Sequence, residues 1–364
     1  STPKPSSAAS DVYKRQVQDT PSNLHSTTNE ADYIIITHSD FYDEVQPLAN
    51  RRAEQGLRTM VVDVQDIYDE FSYGIFDAQA IHDFLAYAYA NWQTAPSYVL
   101  LVGDGTYDFK DNLGTDVQTH IPPYLAMVDD YIGETASDNR YVMVYGDDLL
   151  ADLYIGRLPV NSAAEASTVV NKILNYEQNP PDGDWNKKAL FAADDADGGG
   201  NFPALSDDIV NNYLPPSYIP DKVYLGINYP YENPAVQAHA ALISAINEGR
   251  LLVNYIGHAS RANWTWEKLF GRSDIPSLTN GEKLPMMLPM TCWDGYFIDP
   301  GDICLGESIV RAEGKGAIAS WSPTGLGEAL GHDYLNKGFF NAVFKEKQDI
   351  GTATYLGKLN LYEN

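Results

Sequence analysis

Short hydrophobic runs alternate along the chain with longer segments of helical periodicity. The first strongly apolar run, Ile34–Thr37, is rich in β-branched residues and predicts a buried strand. A helix is expected over residues 42–56, with Pro47 in its first turn or at a kink. Over Phe76–Trp92 the apolar residues recur every three or four positions, which predicts a helix with one buried face.

The same alternation continues to the end of the sequence. Ser162 and Glu165 form a capping-box pattern that predicts a helix through Tyr176. Asn233 as cap and Pro234 as first residue predict a helix to Gly249, and another helix is expected over residues 333–345. Further strand patterns occupy residues 97–105, 152–160, 187–195, 221–226, 250–258, 283–292 and 316–322. Strands that alternate with helices predict mainly parallel sheets with helices on both faces.

The breakers NPPDGDW, residues 179–185, give the best domain boundary. We therefore predict an α/β fold of three layers, α/β/α, built as two side-by-side subdomains over residues 30–181 and 182–364. Residues 1–29 are rich in Ser, Thr, Asn and Pro and are expected to form a disordered tail. Within this tail, Ser6–Gln16 resembles a translated sequencing adapter, and we exclude it from the fold.

Composition restricts the kinds of partner. The 364 residues contain 24 Lys and Arg against 50 Asp and Glu, a net charge of -26, which disfavours nucleic acid and anionic membranes. No run is long and apolar enough to cross a bilayer, so no membrane insertion is expected. Two cysteines, Cys292 and Cys304, exclude a disulfide framework and leave either one bridge or one special thiol beside a structural one.

Polar residues that directly follow strands are the candidates for chemistry, because ligands bind at the carboxyl edge of open α/β sheets. His258 and Cys292 each end a predicted strand and are separated by one crossover and a return strand. A thiol beside an imidazole forms the ion pair that makes cysteine nucleophilic near neutral pH. The alternative is a buried structural cysteine and an ordinary loop histidine. Gly103-Asp104-Gly105 lacks the lysine of a phosphate loop, and the scattered cysteines and histidines do not suit zinc.

Several segments together resemble one enzyme family. NYIGHAS and PMTCWDGYF are similar to the catalytic His and Cys segments of the gingipain-type cysteine peptidases, which have a caspase-like fold. YVLLVGDGTYD, SDNRY, LYIGRLPV and FAADDADGGG fit the same pattern in the same order. The resemblance covers the chain from about Asp32 to its end and implies an exported cysteine endopeptidase.

The resemblance implies catalytic roles for several residues. Cys292 would attack the peptide carbonyl, His258 would move the proton, and the backbone N–H groups of Ala259 and Cys292 would bind the oxyanion. Ala259 stands where the family usually has glycine. The acidic residue that orients the histidine would come from Asp194, Asp195 or Asp197, of which we favour Asp195 and then Asp197.

Substrate and ion binding are also implied by the resemblance. Asp207 would hold a substrate Arg or Lys before the scissile bond. The aromatic lid of that pocket has no clear counterpart, and the nearest candidate is Trp321, where the spacing differs by about one residue. Structural calcium is expected without assigned ligands, no cofactor is needed for the chemistry, and the partners are protein or peptide substrates at the cell surface or outside the cell. The alternatives are a sortase-like transpeptidase and a non-catalytic, calcium-stabilised surface domain. The sequence leaves the oligomeric state open.

Overall fold

The computed structural model describes residues 21–129, 133–226 and 234–364, and the elements below lie in those ranges. In chain order the strands are β1 (Tyr33–Thr37), β2 (Thr59–Asp63), β3 (Tyr98–Val102), β4 (Leu125–Asp129), β5 (Gly133–Ala136), β6 (Tyr154–Leu158), β7 (Lys188–Ala193), β8 (Ile219–Tyr224), β9 (Leu252–Ile256), β10 (Asn263–Trp264), β11 (Phe270–Gly271), β12 (Met286–Met290) and β13 (Ala319–Ser320). The α-helices are α1 (Tyr42–Glu54), α2 (Val64–Phe71), α3 (Ala78–Asn91), α4 (Ala163–Gln178), α5 (Phe202–Asn212), α6 (Pro234–Glu248), α7 (Leu305–Arg311), α8 (Ala329–Phe340) and α9 (Ile350–Glu363).

Two parallel sheets organise the protein, as the sequence predicts. The first has the order β2-β1-β3-β6 and the second has the order β13-β12-β9-β7-β8. The inner strands β1, β3, β7, β9 and β12 are buried on both faces, which is the usual pattern of a parallel sheet covered by helices on both sides. In β1, for example, Ile35 packs into one core cluster while Ile34 and Ile36 pack into another.

Helices form the outer and middle layers. The side chains of α2 and α3 cover one face of the first sheet, and those of α5, α8 and α9 cover the far face of the second. Between the sheets, α1, α4, α6 and α7 contribute to one continuous core that joins both halves. The predicted caspase-like arrangement of two α/β/α subdomains is confirmed, and the predicted boundary near residue 181 lies between α4 and β7.

The helices that the sequence predicts are present, but some of their ends and the position of Pro47 differ from the prediction. Pro47 lies inside α1 and not in its first turn. The Ser162 side chain accepts a hydrogen bond from the Glu165 N–H at 3.2 Å, so α4 begins at its predicted cap. The helix expected over residues 333–345 starts earlier, as α8, and ends in a π-helical turn over Asn341–Lys345. Asn233, the predicted cap of α6, lies outside the described residues.

The described end of the predicted tail is packed against the first subdomain. Leu24 is buried, and its carbonyl accepts a hydrogen bond from Trp92 Nε1 at 2.9 Å. His25 Nδ1 lies 2.7 Å from Glu70 Oε2, and the His25 ring stacks on Phe71. Residues 22–25 therefore belong to the folded first subdomain, because they cover the ends of α2 and α3.

The antiparallel pair β4–β5 belongs to neither large sheet. Thr135 Oγ1 donates to the Thr324 carbonyl at 2.5 Å, and Thr324 Oγ1 donates to the Ala136 carbonyl at 2.7 Å. The hairpin thus ties the first subdomain to the loop that follows β13. No pattern in the sequence predicts this hairpin.

Candidate active site at the carboxyl edge of the second sheet

His258 and Cys292 follow neighbouring strands in matched register. β9 and β12 are parallel and paired, with Ile256 opposite Met290. Each candidate residue lies two positions beyond its strand, so both loops leave the sheet at the same edge, side by side. This confirms the sequence prediction that one crossover separates two adjacent strand ends.

The backbone of His258 is fixed on both sides. Its N–H donates to Asp194 Oδ2 at 3.1 Å, and its carbonyl accepts from the Tyr255 hydroxyl at 2.6 Å and from the Thr265 N–H at 2.9 Å. Gly257 makes this turn possible, because a Cβ there would lie 2.4 Å from the Asp194 Cβ. Any larger residue at this position would displace the aspartate that holds the histidine backbone.

The His258 ring is held by Asp197. His258 Nε2 lies 3.0 Å from Asp197 Oδ2, and the Gly199 N–H donates to Asp197 Oδ1 at 2.8 Å. The Gly199 hydrogen bond and the contact with the imidazole lower the pKa of Asp197, so this carboxylate stays ionised. Gly199 also covers the ring, and the edge of Phe202 packs against it with centroids 5.2 Å apart.

The three candidate acids therefore have different positions. The sequence favours Asp195 as the partner of the imidazole, with Asp197 next, and the structure brings Asp197 to the ring. Asp194 is buried and accepts N–H bonds from His258 and Asp195. Burial raises the pKa of Asp194 to about 6, although both N–H donors oppose the rise. Asp194 thus holds the backbone of the histidine, and Asp197 its side chain.

The two cysteines differ in exposure, and both are free thiols. Cys292 is half-buried, and its Sγ lies 3.6 Å from the Gly327 carbonyl oxygen. The next residue, Trp293, has φ of 53°, a left-handed conformation that is uncommon for a bulky side chain and turns the chain sharply. Burial raises the pKa of Cys304 well above its usual value, so Cys304 stays a protonated core thiol.

Two backbone N–H groups lie in the loops that carry the thiol and the imidazole, those of Cys292 and Ala259. Ala259 faces Trp264 in an isolated antiparallel bridge whose hydrogen bonds use the N–H groups of Ser260 and Thr265. Within the described ranges, the N–H groups of Ala259 and Cys292 make no hydrogen bond. Unpaired N–H groups next to a nucleophile are the usual elements of an oxyanion site.

Asp207, the predicted substrate-binding carboxylate, is paired elsewhere. It lies on α5, where Oδ1 accepts hydrogen bonds from Lys222 Nζ at 2.6 Å and from the Tyr224 hydroxyl at 3.1 Å. Its side chain is 45% exposed, so it lies on the surface and not at the base of a pocket. The structure therefore gives no support to Asp207 as the residue that selects the substrate, because β8 already supplies its cation.

Trp321, the candidate for the lid, is partly buried and packs against the core of the second subdomain. Its ring stacks on Phe339 of α8 at 5.5 Å, and a Cβ on Gly357 of α9 would lie 2.7 Å from the Trp321 ring. The Trp321 N–H donates to the Met287 carbonyl of β12 at 3.0 Å. These contacts direct the indole into the helical layer behind the sheet, so the structure gives no support to Trp321 as a lid.

The expected calcium ion has no fitting ligand set in the part of the chain that is described. No group of three or more His, Cys, Asp or Glu residues there could hold a metal ion. The Asp108 carboxylate instead accepts N–H bonds from Asn112 and Leu113 at 3.0 and 2.7 Å. These bonds also account for the lowered pKa of Asp108. The loop around Asp108 is thus organised by its own backbone.

Comparison with known proteins finds relatives of one kind, the gingipains. Gingipain R1 of Porphyromonas gingivalis is 27% identical over 319 residues, which cover 86% of this chain and 29% of that protein. Lys-gingipain of the same organism is 25% identical over 337 residues, which cover 92% of this chain and 18% of that protein. The chain thus spans less than a third of the length of these relatives.

A solved structure has the same fold. The crystal structure of the Arg-specific cysteine proteinase gingipain R superimposes with a TM-score of 0.74 at 24% identity and covers 92% of this chain and 73% of that one. A family model, described as peptidase family C25, matches residues 26–364. The chain belongs to peptidase family C25.

Proposed function

We propose that this chain is the catalytic part of a cysteine endopeptidase in which Cys292 is the nucleophile and His258 is the general base and acid. The observation that carries the proposal is the matched register of β9 and β12, which brings both residues to one sheet edge. With Asp197 on Nε2, the imidazole offers Nδ1 as the base. The family match supports hydrolysis over the transpeptidase and scaffold alternatives.

The reaction follows from these groups. His258 takes the Cys292 proton, and the thiolate adds to the scissile carbonyl while the N–H groups of Ala259 and Cys292 donate to the developing oxyanion. The imidazolium then protonates the leaving amine, and a thioester remains on Cys292. A water molecule, deprotonated by His258, attacks the thioester and releases the acid. Asp197 keeps the ring oriented and stabilises its charged form.

We propose proteins or peptides as substrates, with cleavage after Arg or Lys. The names of the relatives support this, since one solved relative is described as an Arg-specific cysteine proteinase and another relative is named Lys-gingipain. The net charge of -26 also favours attraction of basic chains. Asp207 is not included in this proposal, because Lys222 already pairs with it.

Location outside the cell or at its surface is a further part of the proposal, supported by the resemblance to exported peptidases. In the described ranges, no helix is long and apolar enough to cross a membrane. Structural calcium, also expected from that resemblance, has no support from the described ligands. A thermal shift on addition of calcium or chelator tests for it independently of activity.

A panel of fluorogenic peptides that differ only in the residue before the scissile bond tests the function. With reductant present, the wild-type chain should hydrolyse the Arg or Lys peptide, and Cys292→Ala and His258→Ala should not. Cys304→Ala is the matched control and should remain active, because its thiol is buried away from substrate.

Two results would count against parts of the proposal. A folded wild-type chain that hydrolyses no peptide would contradict the endopeptidase assignment. Cleavage after other residues, still lost in Cys292→Ala, would keep the mechanism and remove the preference for Arg and Lys.

A further inference from the structure

A buried carboxylate lies in the loop that carries Cys292. Asp294, two residues after the thiol, is 2% exposed. Its Oδ1 accepts a hydrogen bond from Trp264 Nε1 at 2.7 Å, and its Oδ2 accepts one from Ser322 Oγ at 2.8 Å. The carboxylate therefore joins the cysteine loop to two other segments. Hydrogen bonds to an ionised acceptor are among the stronger ones in proteins.

Trp264 continues this connection to the histidine loop. Its ring is fully buried and stacks flat on Tyr255, with centroids 4.3 Å apart and planes inclined by 5°. The Tyr255 hydroxyl donates to the His258 carbonyl at 2.6 Å. Trp264 also pairs with Ala259 across the isolated bridge. An unbroken series of contacts thus runs from Asp294 through Trp264 and Tyr255 to the His258 backbone.

The segment around Asp294 is tightly enclosed. The Gly306 N–H donates to the Asp294 carbonyl at 2.9 Å, and a Cβ on Gly306 would lie 3.1 Å from Ser322 Oγ. A Cβ on Gly295 would lie 2.8 Å from the Ser322 Cβ. The loop therefore has little room to shift while Asp294 keeps its two donors.

We propose that Asp294 is a positioning residue. It connects the Cys292 loop to the His258 loop through Trp264 and thereby sets the orientation of the thiol relative to the imidazole. This inference rests on the proposed function. Asp294 touches no substrate; it keeps two separate loops in one arrangement. Displacement of a reacting group by about 1 Å can reduce the rate about a hundredfold. Loss of this connection between the two loops should therefore lower kcat.

Three substitutions distinguish an effect of the Asp294 hydrogen bonds from a general loss of packing. Asp294→Ala removes both acceptors, and Trp264→Phe removes the indole N–H while keeping an aromatic ring against Tyr255. Asp294→Asn retains an acceptor for Trp264, and its amide can donate to Ser322, whose hydroxyl can turn to Ser320 at 2.6 Å. Asn should therefore restore most of what Ala loses.

Trp185→Phe is the matched control. Trp185 is also buried, and its Nε1 donates to the Pro181 carbonyl at 2.8 Å at the boundary between the subdomains. It has no part in the proposed site. The same substitution there removes an indole hydrogen bond of similar length and should leave kcat within about twofold, although the melting temperature falls.

The experiment measures kcat and KM on a cleaved peptide, the rate of Cys292 alkylation by iodoacetamide without substrate, and the melting temperature. Asp294→Ala and Trp264→Phe should lower kcat about 10- to 100-fold with KM within about threefold, and should slow alkylation. Asp294→Asn should stay within about threefold of wild type.

Some results would overturn the inference. A folded Asp294→Ala or Trp264→Phe with wild-type kcat and alkylation rate would do so, as would an equal loss in Trp185→Phe. Failure of the proposed function has a different signature: the wild-type chain itself would hydrolyse no peptide, and its Cys292 would react no faster than Cys304. The wild-type measurements therefore distinguish the two failures.

Discussion

The buried carboxyl group of Asp294 should make the protein less stable as the pH rises from 4 to 7. Full burial raises the pKa of Asp294 from 3.8 to about 6, although Trp264 and Ser322 donate to it. Between pH 4 and pH 6 the folded chain therefore keeps a proton that the unfolded chain has released. The free energy of unfolding falls through this window and levels off above pH 6.

The size of the effect follows from the rise in pKa. A pKa raised from 3.8 to about 6 corresponds to a loss of about 3 kcal/mol between low and neutral pH. Asp294→Asn removes this titration while keeping the shape of the side chain. Part of this loss lies below pH 4, so the difference in unfolding free energy, variant minus parent, should become more positive by about 2 kcal/mol from pH 4 to pH 7.

Urea unfolding at pH 4, 5, 6 and 7 measures this difference. Both chains should carry Cys292→Ala so that proteolysis cannot contribute, and equal m-values would show that the unfolded states are comparable. Asp194, with its pKa also raised to about 6, contributes equally to both chains and cancels. A difference constant within about 0.5 kcal/mol over this range would refute the reasoning, and a difference of opposite sign would mean that the two donors outweigh burial.

Two further predictions concern His258 and the contact between the subdomains. Asp197→Ala should lower kcat/KM about tenfold, and Asp195→Ala should lower it less, because Asp197 Oδ2 lies 3.0 Å from His258 Nε2. Steady-state kinetics of both variants on one peptide measures the two losses. An equal loss in both would contradict the choice of Asp197. Lys172→Met should lower stability by about 2–4 kcal/mol with kcat unchanged, because the buried Lys172 ammonium donates to three backbone carbonyls in residues 310–315 at 2.7–3.0 Å. Thermal unfolding tests this, and a melting temperature equal to that of wild type would contradict it.

The strand ends could be predicted because their signals are local. The hydrophobic runs before His258 and Cys292 are short and clear, and parallel strands require crossovers of the length seen here. These two facts place both residues at one edge before any coordinates are known. The resemblance of the surrounding segments adds the chemistry.

The roles of acidic and aromatic residues were harder to predict, since they depend on partners distant in sequence. Asp207 meets Lys222 on the neighbouring strand, and Trp321 packs on α8 and α9. The choice between Asp195 and Asp197 depends on how the turn at Gly199 folds over the imidazole. A one-dimensional pattern contains none of these contacts.

Asp294 was missed for the same reason. In the sequence it is an ordinary aspartate two residues after a cysteine, and its burial depends on Trp264 and Ser322, each about 30 residues away. The same holds for the β4–β5 hairpin, whose docking on the loop after β13 joins residues 188 and 189 positions apart. Side chains that connect loops leave no periodic signal.

The central claim is that peptide cleavage passes through an acyl group on Cys292, and trapping that group tests it most directly. The wild-type chain is mixed with an ester substrate of Arg or Lys, quenched in acid within the first turnover, digested and mapped by mass spectrometry. We predict an acyl adduct on the peptide containing Cys292, no adduct on Cys304, and no adduct in Cys292→Ala. Hydrolysis by the wild-type chain without an adduct on Cys292, or hydrolysis that persists in Cys292→Ala, would contradict the account.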